Sequence, residues 1–116
     1  MDVSIIIVNY NTGILLRKCI ESIYEKTSCI EFEIIVVDNA SGDDSVKMIS
    51  TLFPTVKIIA SPENIGFGKA NNLGAAQAMG ELLFFLNSDT ELINDAVRIL
   101  SDFYLATPEC GIAGGN

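Results

Sequence analysis

The chain has 116 residues and a formal net charge of -8, and 49% of its residues are hydrophobic. A chain of this length can bury one core but cannot build two, so a single domain is expected. The hydrophobic fraction excludes a disordered chain. The acidic balance argues against a nucleic-acid partner, because DNA and RNA phosphates require a basic surface.

Histidine is absent from the sequence. Its absence excludes Ser-His-Asp and Cys-His nucleophile systems and His-ligated zinc, so acid-base or metal chemistry falls to carboxylates. Cys19, Cys29 and Cys110 have no CxxC spacing, which predicts neither a disulfide framework nor a zinc site and favours a reducing compartment. No secretory leader and no apolar run of ~20 residues is visible. We therefore expect no transmembrane segment. The expected location is cytoplasmic, either free or at the inner face of the membrane.

Four short apolar runs predict β-strands. Each run is nearly continuous and rich in β-branched or aromatic residues, which is typical of strands whose sheet is covered on both faces. The predicted strands are Val3 to Val8, Phe32 to Val37, Val56 to Ala60 and Leu82 to Leu86.

The segments between these runs predict crossover helices. The first has apolar residues at helical spacing, and the second opens on Asp43 and Asp44, whose carboxylates suit a helix amino terminus. The third is rich in Ala and Gly, which predicts close packing on the sheet, and Gly80 is expected to end it. The helices are predicted at Ile14 to Lys26, Ser41 to Phe53, Gly68 to Met79 and Asn94 to Ala106.

The alternation of strand and helix predicts an α/β fold. The expected architecture is a three-layer sandwich with a mostly parallel sheet and right-handed crossovers. The last residues, Gly111 to Asn116, look like the start of a fifth strand. We therefore expect the chain to be part of a longer protein.

A polar tail follows each predicted strand. Because the carboxyl ends of parallel strands share one edge, where open sheets bind ligands, the four tails are expected to converge on a site. The alternative is that these loops carry Asn, Asp and Ser for turns and helix caps. The tails are Asn9-Tyr10-Asn11, Asp38-Asn39-Ala40-Ser41, Ser61-Pro62-Glu63-Asn64 and Asn87-Ser88-Asp89-Thr90.

The tail Asn87-Ser88-Asp89 places two oxygen ligands at alternate positions after a buried strand. This pattern suits a hard cation, Mg²⁺ or Mn²⁺, that keeps water and substrate phosphate as its other ligands. A cation would also offset the charge of a diphosphate in a chain with few basic residues. The alternative is that Asp89 caps a following helix.

The segment from Asn64 to Gly74 is rich in glycine and asparagine. Its glycines would let backbone amides approach phosphates at a helix amino terminus. Asn71 stands where a dinucleotide-binding GxGxxG needs its third glycine, and Lys69 lacks the frame of a P-loop. The alternative is a glycine turn that leads into an Ala-rich helix.

Taken in order, four segments resemble the motifs of the family-two glycosyltransferases, including the rhamnosyltransferase-like members. They are Ser4 to Asn11, Ile34 to Ser41, Asn64 to Gly74 and Leu83 to Thr90. The resemblance covers essentially all of residues 1–116 and implies the nucleotide-sugar-binding part of a glycosyltransferase A domain, which is a Rossmann-like fold. It also implies transfer of a sugar from a UDP- or dTDP-sugar to a glycan or other acceptor, with inversion and divalent-metal assistance.

The resemblance implies roles for individual residues. Asn87 and Asp89 would hold the metal, Asp38 and Asn39 would contact the base or ribose, and Lys69 would lie near the diphosphate. The residues expected to bind the nucleotide sugar are Val8, Asn9, Tyr10, Asp38, Asn39, Asn64, Gly66, Lys69, Asn71, Asn87 and Ser88.

Some positions depart from the family pattern. Asn39 and Ala40 replace the second Asp and the Gly of Asp-Asp-Gly-Ser, which leaves base selectivity open. Asn87 replaces the first Asp of the metal motif, so we expect weaker metal binding. The carboxylate that activates the acceptor hydroxyl is expected after Asn116. The chain should therefore contain no catalytic residue and bind the donor without efficient turnover.

Two other functions are compatible with the same fold class. A receiver-like signalling domain, or another non-catalytic nucleotide-binding domain, would need an acidic cluster after the first strand and an Asp after the third. This chain has Asn9-Tyr10-Asn11 and Ser61-Pro62 there. A Rossmann oxidoreductase would need the missing glycine fingerprint.

Overall fold

The structure is a computed structural model that describes residues 2–92, 94–97, 99 and 112–114. Its strands are β1 (Val3–Asn9), β2 (Phe32–Asp38), β3 (Lys57–Ala60), β4 (Leu82–Asn87) and β5 (Ile112–Gly114). Its helices are α1 (Gly13–Lys26), α2 (Ser45–Leu52) and α3 (Phe67–Ala76). The strands form one sheet in the order β3-β2-β1-β4-β5, and every pair is parallel.

The sheet is covered on both faces, as its apolar strands require. On one face, Ile5 of β1 belongs to the same buried cluster as Ile20 of α1 and Ile49 of α2. On the other face, Val8 of β1 and Ala70 of α3 belong to a smaller cluster. The predicted three-layer α/β sandwich is confirmed.

The prediction that α3 packs closely on the sheet is also confirmed. A Cβ atom on Gly74 would lie 2.6 Å from Ile6 Cγ2 and 3.1 Å from Val37 Cγ2. Real Cβ atoms do not approach other atoms so closely, so the backbone of α3 lies against β1 and β2 only because this residue has no side chain. Glycine here sets the distance between the layers.

The predicted carboxyl end of the third helix is wrong. This helix ends at Ala76 rather than at Met79, and Gly80 is not its stop signal. Gly80 N donates to Ser4 Oγ at 2.8 Å, and a Cβ atom there would lie 2.5 Å from Ser4 N. The glycine is required because the chain passes directly against β1 on its way into β4.

Two further predicted elements differ in extent. The second helix begins at Ser45 rather than at Ser41, because the residues before it form hydrogen bonds with the loop after β1. Most of the predicted fourth helix lies outside the described residues. Within it, Ile99 N donates to Asp95 O at 3.0 Å, as in a helical turn. The predicted fifth strand is confirmed by the pairing of β5 with β4.

The strand order creates a crevice at one edge of the sheet. The chain runs outward from β1 through β2 to β3 and then returns to place β4 on the other side of β1. The strand order therefore reverses between β1 and β4, and the crevice beside such a switch point is where open parallel sheets bind ligands. No helix in the described part of the chain is both long and apolar enough to span a membrane.

Candidate functional site

A groove of about 280 Å³ lies at the carboxyl edge of the sheet. We refer to it as the site groove. Its walls come from the ends of β1, β2 and β4 and from the start of α3. The lining residues are Val8, Tyr10, Thr12, Asn39, Asn64, Phe67, Asn87 and Ser88. The polar tails of the strands thus converge, as the sequence predicts.

A buried hydrogen-bond network lies at the base of the site groove. Asn9 and Asp38 face each other across the pairing of β1 with β2, and both are almost fully buried. Asp38 Oδ1 accepts hydrogen bonds from Asn9 Nδ2 at 2.9 Å and from Ser41 Oγ at 2.7 Å. Asp38 Oδ2 accepts one from Ser41 N at 3.0 Å. The Asp38 carboxylate therefore organises the loop that follows its own strand.

Thr12 extends this network to the far wall of the groove. Its hydroxyl donates to Asn9 Oδ1 at 2.7 Å, and its oxygen lies 2.8 Å from Ser88 Oγ. Side-chain hydrogen bonds thus run without interruption from Asp38 to Ser88 beneath the groove. The polar ends of β2, β1 and β4 form one connected unit.

The loops after β1 and β2 are also fastened to each other. Gly42 N donates to Asn11 Oδ1 at 2.6 Å, and Asn11 N donates to Ser41 Oγ at 2.9 Å. Ala40 has φ +61°, a left-handed conformation that disfavours alanine. This strain explains why the family pattern has glycine at that position.

Asp43 joins the amino termini of two helices. Its carboxylate accepts hydrogen bonds from Gly13 N at 3.2 Å and from Ser45 N at 3.1 Å, which are the first residues of α1 and α2. The hydrogen bond from the Ser45 hydroxyl, together with the two backbone amides, lowers the pKa of the Asp43 carboxyl against the opposing effect of burial. A carboxylate here satisfies helix amides that would otherwise lack partners.

Asn39 holds the loop that leads into α3. Its Oδ1 accepts from Ile65 N at 2.9 Å, and its Nδ2 donates to Gly66 O at 3.3 Å. Gly66 has φ +85° and stands immediately before α3. Asn39 therefore positions Asn64 and Phe67 on the groove wall, and an aspartate in its place could not donate to Gly66 O.

Asn87, Ser88 and Asp89 form a turn closed by a hydrogen bond from Thr90 N to Asn87 O at 3.0 Å. The side chains of Asn87 and Asp89 are exposed. Residues 90–92 are not helical, so the alternative that Asp89 caps a following helix is wrong. Among the described residues, no three His, Cys, Asp or Glu side chains form a group that could hold a metal ion.

A buried thiol lies behind this turn. Burial, with a smaller contribution from the Asp89 charge, raises the pKa of the Cys19 thiol to about 12. Cys19 Sγ donates a weak hydrogen bond to Asn87 O at 3.8 Å. A thiol that stays protonated at neutral pH is a poor nucleophile.

The structure divides the predicted binding residues into three groups. Asn9 and Asp38 lie buried below the groove. Gly66, Lys69, Asn71 and the predicted metal ligand Asp89 lie outside its lining, and Asn71 Oδ1 is buried without a hydrogen-bond partner among the described residues. The predicted residues that line the groove are Val8, Tyr10, Asn39, Asn64, Asn87 and Ser88.

Sequence reasoning missed Thr12 and Phe67. Thr12 reads as an ordinary helix N-cap, but its side chain makes no capping hydrogen bond. Phe67 lines the groove and is 56% exposed. A large aromatic residue directly after the glycine turn was the available signal, because exposed aromatic residues beside a groove commonly contact ligands.

Comparisons with known proteins agree with one another on the family of this chain. A family model described as "Glycosyl transferase family 2" matches residues 4–115. An N-acetylglucosaminyltransferase from Rhizobium sp. is 34% identical over 120 residues, which covers 99% of this chain and 26% of the relative. The succinoglycan biosynthesis protein ExoO from Rhizobium meliloti is 31% identical over 98 residues, which covers 84% of this chain and 28% of the relative.

Solved structures share the fold. The crystal structure of S. aureus TarS 1-349 superposes with a TM-score of 0.82 at 25% identity, covering 91% of this chain and 33% of that one. The same fragment in complex with UDP-GlcNAc gives a TM-score of 0.79 at 25% identity, covering 91% of this chain and 32% of the other. The chain thus spans about a quarter to a third of these proteins' lengths.

Proposed function

The chain belongs to glycosyl transferase family 2, and we propose that it forms the nucleotide-sugar-binding part of an enzyme that transfers a sugar to an acceptor hydroxyl. The donor is a UDP- or dTDP-sugar, and transfer proceeds with inversion. The acceptor is a glycan or another hydroxyl compound. Membership of this family removes the receiver-like and oxidoreductase alternatives.

The observation that carries the proposal is the position and chemistry of the site groove. It lies at the carboxyl edge of the sheet, beside the switch in strand order between β1 and β4, and it combines an exposed aromatic ring, Tyr10, with hydroxyl and amide groups. A nucleoside has the matching features, namely a flat base and hydroxyl groups. A related protein of the same fold, S. aureus TarS, has been crystallised with UDP-GlcNAc, which supports the same ligand class here.

We propose that Asp89 and Asn87 hold Mg²⁺ or Mn²⁺ when the donor is bound. Both are oxygen donors exposed on one turn, which fits a hard cation. Because the described residues offer no complete set of three ligating side chains, the remaining ligands would come from the diphosphate and water. The ion would neutralise the charge of the departing diphosphate.

We propose that the remaining steps of the reaction use groups that follow Asn116. The base that deprotonates the acceptor is proposed to follow Asn116, so these residues bind and orient the donor. We propose that the enzyme works in the cytoplasm, at the inner face of the membrane. This location would give polysaccharide synthesis access to nucleotide sugars. The relation to a succinoglycan biosynthesis protein supports that role.

Thermal denaturation with added nucleotide tests the proposal. A ligand present at 100 times its Kd and bound by the native state alone stabilises that state by about 2.7 kcal/mol. We expect UDP or dTDP with Mn²⁺ to raise the Tm by several degrees, while NAD and acetyl phosphate leave it unchanged. No response to either nucleotide at millimolar concentration contradicts the proposed function.

The variant Asp89→Ala tests the metal ligand. It should remove the Mn²⁺-dependent part of the UDP shift and leave the metal-free free energy of unfolding within about 0.5 kcal/mol of the parent, because the side chain is exposed. Glu91→Ala is the matched control, since it removes an exposed carboxylate two residues away. If both variants keep the full Mn²⁺ response, Asp89 is not a ligand.

A further inference from the structure

Resting on the proposed function, we propose that Thr12 fixes the hydrogen-bonding direction of Ser88, so that the site groove presents Ser88 Oγ only as an acceptor. This acceptor recognises a hydroxyl of the nucleotide's ribose. Thr12 is thus a positioning residue that acts on the ligand through Ser88.

The direction of the network starts at Asp38, whose carboxylate can only accept. Ser41 has a single hydroxyl proton and donates it to Asp38 Oδ1 at 2.7 Å. The Ser41 oxygen must therefore accept, and Asn9 Nδ2 donates to it at 3.2 Å while also donating to Asp38 Oδ1 at 2.9 Å. Rotating the Asn9 amide by 180° would place its oxygen against two acceptors, so its orientation is determined.

The remaining steps follow from this orientation. Asn9 directs its oxygen towards Thr12, so the Thr12 hydroxyl donates its one proton to Asn9 Oδ1 at 2.7 Å. The contact of 2.8 Å between Thr12 Oγ1 and Ser88 Oγ then requires the proton of Ser88. Ser88 lines the groove with its proton committed to Thr12, and no other described residue bonds its oxygen.

The start of α1 supports a role for Thr12 in the site. A threonine at an N-cap ordinarily accepts a hydrogen bond from its own helix, but Thr12 makes none. Asp43 accepts from a different amide, Gly13 N at the first position of the helix, at 3.2 Å. The Thr12 hydroxyl is therefore available for the link between Asn9 and Ser88, and its removal does not uncap the helix.

The test compares UDP with its 2′-deoxy and 3′-deoxy analogues, with Mn²⁺ constant, by calorimetric titration. Loss of one neutral hydrogen bond weakens binding about 3- to 10-fold, so the parent should prefer UDP over one analogue by that factor. In Thr12→Val the Ser88 hydroxyl loses the acceptor that holds its proton and is free to rotate. Its lone pairs then no longer face the ribose in a fixed direction, and the preference should fall below about twofold. Thr12→Ser, which keeps the hydroxyl, should restore it.

A second variant separates this role from a general structural one. Ser88→Ala should abolish the same preference, and adding Thr12→Val to it should change the preference no further, because both act on one contact. The inference is overturned if Thr12→Val weakens UDP and both analogues by one common factor, or if the parent binds all three equally. Failure of the parent to bind UDP at all instead contradicts the proposed function.

Discussion

Replacing Asp38 with alanine is expected to lower the free energy of unfolding by about 2–4 kcal/mol and to abolish nucleotide binding. The change removes the acceptor for Asn9 Nδ2, Ser41 Oγ and Ser41 N. Each buried donor left without a partner costs about 1–3 kcal/mol, reduced where water enters the cavity. Urea denaturation measures the stability, and titration with UDP measures the binding.

Asp44→Ala is the matched control for this effect. Asp44 precedes α2 but makes no capping hydrogen bond, and it is exposed. Its removal should change the stability by less than about 0.5 kcal/mol. Equal stability of the two variants would show that the network beneath the groove does not hold the loops.

The second large effect is expected for Gly74→Ala. The added methyl group would overlap Ile6 Cγ2, 2.6 Å away, and press on Val37. Because both side chains are fully buried, α3 must move away from the sheet, at a cost of about 1–3 kcal/mol. For a domain of this size we expect a fall in Tm of at least about 4 °C.

Gly68→Ala provides the comparison within the same helix. A Cβ atom at Gly68 meets nothing within 4 Å, and alanine favours the helix by up to about 1 kcal/mol. This variant should therefore be as stable as the parent or slightly more so. If Gly74→Ala and Gly68→Ala have the same Tm, α3 is not packed tightly on β1.

The strands and their polar tails were predictable because their signals are local. Runs such as Val3 to Val8 and Leu82 to Leu86 are too continuous in apolar character for an exposed element. Parallel pairing then brings the tails to one edge. The ends of α3 and the role of Gly80 could not be predicted, because the close contact with Ser4 arises between residues that are far apart in the sequence.

Roles inside the site were harder to predict for a similar reason. Asn9 and Asp38 have the residue types of ligand-binding groups, but the register of β1 and β2 sets them opposite each other and buries them. Thr12 gave the pattern of a helix cap, but its hydroxyl bonds Asn9 and Ser88 at the ends of the strands instead. Sequence identifies candidate side chains, whereas strand register decides which of them face the ligand.

The most direct measurement is a map of backbone amide chemical shifts during titration of the ¹⁵N-labelled chain with UDP and Mg²⁺, which is diamagnetic. We expect the shifts to concentrate at residues that line the site groove, such as Tyr10, Phe67 and Ser88. A second cavity, of about 390 Å³, lies along α1 beside Glu21 and Glu25 and should remain unaffected. Shifts centred on that second cavity, or no shifts anywhere, would contradict a nucleotide site at the carboxyl edge of the sheet.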